Sequence, residues 1–289
     1  MGPRGDAKRY IQSFSDRGGL RMKKLLLIVI FFVFVGVRNI FAQTEPSALL
    51  EKSAWEVAPE VSYLNYKEPL VKTNGVMYGL VASYTYHNKI MLKAEGRGSY
   101  GGVMWDGLTM EGRVTENNCF NLLLEFRGLG GYDFQISTSS ILTPYTGIGL
   151  RYLNNDVLPK PYERESYYLY TPIGIGLFTD LGKGWSIGET AEFDYFWWGY
   201  QTSHPMDELP GLKNDIVSNQ REGYGLRGSI TVEKKYKKVA FEGGPFINYW
   251  NIKELRPEIL PYTGNPKGFV WQEPGNNSLE VGIKLGVKF

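Results

Sequence analysis

From residue 54 onward, apolar and polar residues alternate with a period of two along most of the chain, the pattern of strands with two unlike faces. The last such stretch, SLEVGIKLGVKF at residues 278–289, sets Leu279, Val281, Ile283, Leu285, Val287 and Phe289 on one face and Glu280, Gly282, Lys284, Gly286 and Lys288 on the other. Nine earlier stretches read as strands too: residues 54–66, 75–87, 89–103, 120–134, 142–154, 164–178, 184–200, 222–234 and 238–251. No apolar stripe of helical period appears after residue 52. The expected connections are short around Asn88 and at residues 135–141, 179–183 and 235–237. The alternate ones are mostly longer, chiefly 201–221 and 252–277. An even strand count with this asymmetry predicts an all-β fold: a closed antiparallel up-and-down transmembrane β-barrel of about ten strands over residues 54–289, with both ends on the short-turn rim.

Alternation alone also fits a soluble sandwich with charges in water. Three features favour the inverted arrangement, apolar side outward to lipid and charges inward. Aromatic residues gather near the predicted strand ends, among them Trp55, Tyr63, Tyr84, Tyr152, Tyr167, Trp185, Tyr195, Trp197, Tyr224 and Tyr249, as interfacial girdles would. Glycines such as Gly79, Gly149, Gly174, Gly225 and Gly282 share the charged face, where small positions help fill a narrow lumen. The third feature is a leader together with the terminal Phe289. The inward face then holds eight acids, Glu56, Glu60, Glu95, Glu125, Glu192, Asp194, Glu242 and Glu280, and six bases, Lys93, Arg97, Arg127, Arg151, Arg227 and Lys284.

The leader occupies residues 22–42: Lys23 and Lys24 precede an apolar run at residues 25–37, and Ala42 offers a small residue for cleavage. This is the layout of a secretory signal peptide, and the run is short for a transmembrane helix. Residues 1–21 are expected to be an upstream extension and residues 43–53 a short periplasmic segment before the barrel. Eight of the 32 basic and two of the 30 acidic residues lie before residue 43, so the remainder carries a net charge of −4. No basic surface for nucleic acid is expected. Cys119 is the only cysteine, which leaves no intrachain disulfide, no CxxC metal site and no lipid-bearing cysteine after the leader.

The ending VGIKLGVKF resembles the C-terminal strand of bacterial outer-membrane β-barrel proteins, the small OmpA-like and porin-like barrels. That resemblance implies that Ile283, Leu285, Val287 and Phe289 form the signal read by the barrel-insertion machinery. It also implies periplasmic chaperones as partners during biogenesis, outer-membrane lipid as surroundings, and the outer membrane of a two-membrane bacterium as location. The stretch LTPYTGIGLRYLNND with YERESYYLYTPIGIG is similar to a recurrent set of uncharacterised outer-membrane proteins; this implies localisation and no particular chemistry.

Balanced charges in a narrow barrel most simply pair and close the lumen, and arginine suits bidentate contacts with carboxylates. The expected role is structural or surface-interactive, carried by the longer loops. A narrow porin-like channel with charge rings is the alternative, and an omptin-like hydrolase a second. For the latter, His204 lies in SHPMDELPGLKND near Ser203, Asp207 and Asp215. That resembles the rim placement of Asp/His chemistry in omptin-type proteases, although their motif has no residue-by-residue match here. No catalytic residue is assigned. Asn154, Asn155 and Asp156 lack the spacing of a calcium loop; no metal and no cofactor are expected.

Overall fold

The computed structural model describes residues 49–109, 112–157, 162–204, 215–263 and 265–289. The expected signal peptide at 22–42, the extension at 1–21 and most of the segment at 43–53 lie outside the described residues. The strands in chain order are β1 (Ser53–Lys67), β2 (Val71–Asn88), β3 (Ile90–Thr109), β4 (Gly112–Tyr132), β5 (Phe134–Gln135), β6 (Ser140–Val157), β7 (Tyr162–Gly182) and β8 (Trp185–His204). They continue as β9 (Ile216–Gln220), β10 (Gly223–Tyr236), β11 (Val239–Ile252), β12 (Glu258–Tyr262), β13 (Asn265–Trp271) and β14 (Asn276–Lys288). Ten of these form an antiparallel ring in the order β1-β2-β3-β4-β6-β7-β8-β10-β11-β14, and β14 pairs back onto β1. No helix among the described residues is long and apolar enough to cross a membrane; the strands provide the crossing.

Closure satisfies the backbone. Between Glu56↔Lys288 and Lys67↔Asn277, β1 and β14 are joined along their length. At the short-turn rim the Trp55 amide donates to the Phe289 carbonyl (2.8 Å) and the Phe289 amide returns a bond to the Trp55 carbonyl (2.9 Å). No ladder edge remains open to hydrocarbon there, as a spanning sheet requires.

The wall is apolar on the outside. Val61, Leu92, Phe126, Ile148, Leu150, Ile173, Ile230, Phe241, Ile283 and Leu285 are all exposed, a ring far beyond the scattered apolar residues of a soluble surface. Aromatic residues bracket it. On β1, Trp55 and Tyr63 are exposed at either end; the eight-residue step between them runs about 26 Å along the strand at ~3.3 Å per residue, or roughly 20 Å of height at the ~40° tilt of such strands, most of an apolar band of ~25 Å. Trp55 packs on Tyr84 toward the short-turn rim, and Tyr152 on Tyr167 and Tyr195 on Trp197 toward the other.

The ten expected strands are the ten of the ring, but several reach further. Residues 104–119, expected as a connection, are mostly the outer ends of β3 and β4, paired from Trp105↔Glu116 to Thr109↔Gly112. The β1–β2 connection shrinks to residues 68–70. Beyond the lipid, neither face of a hairpin is forced to be apolar, so alternation fades while the hydrogen-bond ladder continues. The two longest expected loops also hold strands: β9 adds to the outer end of β8, and β12 pairs only with β13.

Placing a charge on the lipid side at mid-wall tests this arrangement. Ile148→Arg should lower stability by about 2–4 kcal/mol, measured by denaturant unfolding in phospholipid vesicles. An unchanged midpoint would mean that this face does not contact lipid.

Candidate functional site

Thirteen of the fourteen charged side chains assigned to the inward face form ion pairs with one another, some between adjacent strands and some across the lumen. Of these fourteen, Arg227 on β10 makes the longest crossing. Its guanidinium donates twice to Glu125 on β4 (2.5 and 2.7 Å) and once to Asp194 on β8 (2.6 Å), with Glu192 3.3 Å away. Strands β4 and β10 stand four places apart in a ring of ten, so this contact reaches nearly the opposite wall. Arg127 on β4 joins Glu95 (2.7 Å) on its neighbour β3 and Glu192 (2.6 Å) on β8. Arg97 holds Glu60 (2.7 Å) and Glu280 (2.5 Å), and Glu280 also accepts from Ser62 (2.6 Å) and Asn248 (3.2 Å). Nearer the short-turn rim, Lys284 meets Glu56 (2.5 Å) and Glu242 (3.4 Å), and Lys93 meets Glu95 (2.7 Å). Arg151 differs: its guanidinium lies over the Trp250 ring at 5.2 Å, and its buried Nε makes no hydrogen bond.

Aromatic side chains fill the space between these bridges. Tyr168, Tyr170, Phe196, Trp250 and Ile252 form a buried interior cluster. The Tyr170 hydroxyl donates to Glu125 (2.9 Å) and accepts from Arg227 (3.0 Å). Glycine makes the fit possible: an alanine Cβ at position 149 would lie 2.1 Å from the Tyr170 ring, and one at 174 would lie 2.4 Å from Tyr145. Below this layer a cavity of about 340 Å³ extends toward the short-turn rim, past Glu95, Lys93 and Glu56 to His87 and Lys288. His87 Nδ1 lies 2.8 Å from Asp133, which also accepts from Thr143 (2.7 Å), so two short-turn hairpins are tied together there.

Sequence reasoning missed the outer closure. Arg164 on β7 pairs with Glu68 and with Glu273 in the β13–β14 connection. Burial raises the carboxyl of Glu273 although the Arg164 guanidinium and a bond from Gln201 oppose that shift. In YERESYYLYT both parities carry polar and aromatic residues, so no alternation revealed that Arg164 and Ser166 turn inward while Glu165 and Tyr167 turn outward.

The hydrolase candidates separate. His204 faces the outside of the wall, where Nδ1 is 3.0 Å from Asp215 and Nε2 is 3.7 Å from Glu165. Ser203, the next residue toward the interior, is buried and belongs to the opposite face. Asp207 lies outside the described residues. Among the described residues no cluster of His, Cys, Asp or Glu could hold a metal ion. The terminal stripe of Ile283, Leu285 and Phe289 is exposed on the lipid face, with Val287 partly buried beside it.

The central bridges can be probed by removing one cation. Arg97→Ala leaves Glu60 and Glu280 buried without it and should cost about 3–5 kcal/mol, read as a lower denaturant midpoint. Adding Glu60→Gln and Glu280→Gln should recover much of that loss. If no recovery follows, the loss comes from Arg97 packing on Phe246 instead.

The sequence matches no protein-family model and no curated protein. Among solved structures, the barrel is similar to the outer membrane protease OmpT from Escherichia coli, with a TM-score of 0.56 at 7% identity over 87% of this chain and 99% of that one. The translocator domain of the autotransporter NalP from Neisseria meningitidis has a TM-score of 0.40 at 12% identity over 96% and 97% of the two chains. The toluene transporter TodX from Pseudomonas putida has one of 0.36 at 9% identity over 85% and 92%. At such identity the OmpT likeness speaks to fold alone. Fold, apolar wall and aromatic girdles are together those of an integral β-barrel of the bacterial outer membrane.

Proposed function

We propose that the protein is an outer-membrane barrel with a lumen closed to solutes, and that its work is done on its outer rim by contact with other molecules. The observation that carries this reading is the Arg227 bridge to Glu125 and Asp194, which crosses the lumen with Tyr170 and Trp250 packed against it. Barrels of about eight strands are just filled by side chains, whereas about sixteen leave a water channel; ten strands lie near the filled end, and bidentate guanidinium contacts use that limited space. A narrow channel would need a continuous polar path past this layer. The cavity on the short-turn side gives half of such a path.

The rim offers a surface for contact. The β12–β13 hairpin bonds only with itself in the sheet and exposes Ile259 and Val270 as a facing pair. In this reading the outward stripe of Ile283, Leu285, Val287 and Phe289 serves insertion during biogenesis, met by periplasmic chaperones and the insertion machinery, and plays no part in the mature role.

Planar-bilayer recording separates the two lumen readings. The purified protein should show no unitary conductance, and Arg227→Ala combined with Tyr170→Ala should create steps. Steps from the unaltered protein would establish the channel instead. Deleting residues 258–271 should leave a folded barrel, judged by far-ultraviolet circular dichroism; loss of strand signal would make the hairpin a structural lid.

A further inference from the structure

Among the described residues, three other than glycine have positive φ, and all three are lysines in turns of the short-turn rim. They are Lys89 (60°) between β2 and β3, Lys183 (54°) between β7 and β8, and Lys237 (58°) between β10 and β11. An L side chain is strained in that conformation, and glycine or asparagine is the usual occupant. Strain kept at the same kind of residue in three turns points to a use for its side chain.

Two of these turns form one unit. β8 pairs with β10, so residues 183–184 and 237–238 stand side by side. The Lys235 amide donates to the Gly184 carbonyl (2.8 Å), and Lys234 Nζ donates to the Lys183 carbonyl (2.7 Å). Residues 180–185 and 233–238 together hold five lysines, Lys183, Lys234, Lys235, Lys237 and Lys238, and two acids, Asp180 and Glu233. Both acids have other partners: Glu233 meets Lys288 (3.1 Å), and Asp180 accepts from the Gly182 amide (2.9 Å).

Aromatic side chains set the height of this cluster. Trp185 and Tyr236 are exposed on the outward face. Lys234 Nζ stands 4.8 Å over the Trp185 ring, and Lys237 Nζ stands 5.6 Å over the Tyr236 ring. Interfacial tryptophan and tyrosine lie at headgroup depth, so ammonium groups held on them lie where lipid phosphates stand. Lysine meets a phosphate as a point charge, and basic clusters beside a membrane surface draw anionic lipid. A soluble acidic partner would be met by lysines reaching into water; it gives no reason to hold two of them against outward-facing rings.

We propose that the paired turns bind the phosphate of an anionic phospholipid in the leaflet on the short-turn side, with Lys183, Lys234 and Lys237 as its contacts. The site rests on the wall standing in lipid and is independent of whether the lumen conducts or the outer rim makes contacts, so a failure of either reading leaves the other intact.

Electron spin resonance of spin-labelled phospholipids, in vesicles reconstituted with the full-length protein, tests the site through the fraction of label slowed at the wall. Phosphatidylglycerol should associate several-fold more strongly than phosphatidylcholine with the same acyl chains, and the excess should fall as salt is raised. Lys183→Gly with Lys237→Gly should remove most of the excess while the denaturant midpoint holds or rises, because glycine relieves both turns. Lys183→Asn with Lys237→Asn, which also suits that backbone, should remove as much. Lys253→Gln, which takes a cation from the outer rim, should leave the excess unchanged. Equal association of the two lipids with the unaltered protein, an excess undiminished in both double variants, or the same loss from Lys253→Gln would each overturn the proposal. Displacement of the labelled phosphatidylglycerol by inorganic phosphate at constant ionic strength would assign the lysines to a free anion and overturn it too.

Discussion

Every amide and carbonyl that enters hydrocarbon must already have a partner, because lipid supplies none and each orphan costs several kcal/mol. In this chain the demand is met by the joint between the first and last barrel strands, from Lys67↔Asn277 to the reciprocal bonds of Trp55 and Phe289. Most of the remaining architecture follows. A closed sheet has only an inside and an outside, so residue parity alone sends a side chain to lipid or to lumen. The outer parity must be apolar for the wall to remain in the membrane. What the chain needs in the way of charge, it therefore holds inside.

Charges enclosed in that way cannot be left alone. Losing water around an ion costs more than a single Coulombic contact returns unless the geometry is good and the remaining lone pairs are met. The interior meets that condition by sharing: Glu280 accepts from Arg97, Ser62 and Asn248, and Arg227 spends its donors on two carboxylates and a tyrosine. Sharing draws opposite walls together, and glycines opposite Tyr170 and Tyr145 let the rings lie flat enough to fit. The cross-strand bridging of the interior thus follows from the need to neutralise buried charges with groups from several strands.

How much of this could be read from sequence depends on depth. Within the lipid, the apolar outer face imposes alternation, so the ten strands and their inverted sidedness were legible from residues such as Leu122, Leu124 and Phe126 against Glu125 and Arg127. Partners were not legible, because parity says which face a residue shares but not who meets whom across the lumen; Glu125 and Arg227 stand 102 residues apart. Outside the lipid the rule lapses. Residues 104–119 have no forced apolar face, and their pairing was invisible although their ladder continues that of β3 and β4. The inward turn of Arg164 and the register slip at Trp198 were hidden for related reasons. The first sits among residues polar on both faces, and a bulge changes parity without any mark in composition.

That slip shows how a wall under such strict rules can still acquire a specific feature. A lipid-facing strand has little freedom in residue type, since polar substitutions are costly and apolar ones are nearly equivalent to fluid hydrocarbon. It retains freedom in register. One additional residue in β8 restores the parity needed by Gln201 and Ser203 inside while presenting two adjacent tryptophans outside. Both indoles are hydrogen-bonded to neighbouring strands, which fixes their orientation on the wall. Acidic residues appear on the same face four residues further along β7, at Glu165, where the strands leave the apolar band and charge is again tolerated. With residue type so constrained on the lipid side, a change of register is the means by which such a wall can place two adjacent aromatic side chains on one face.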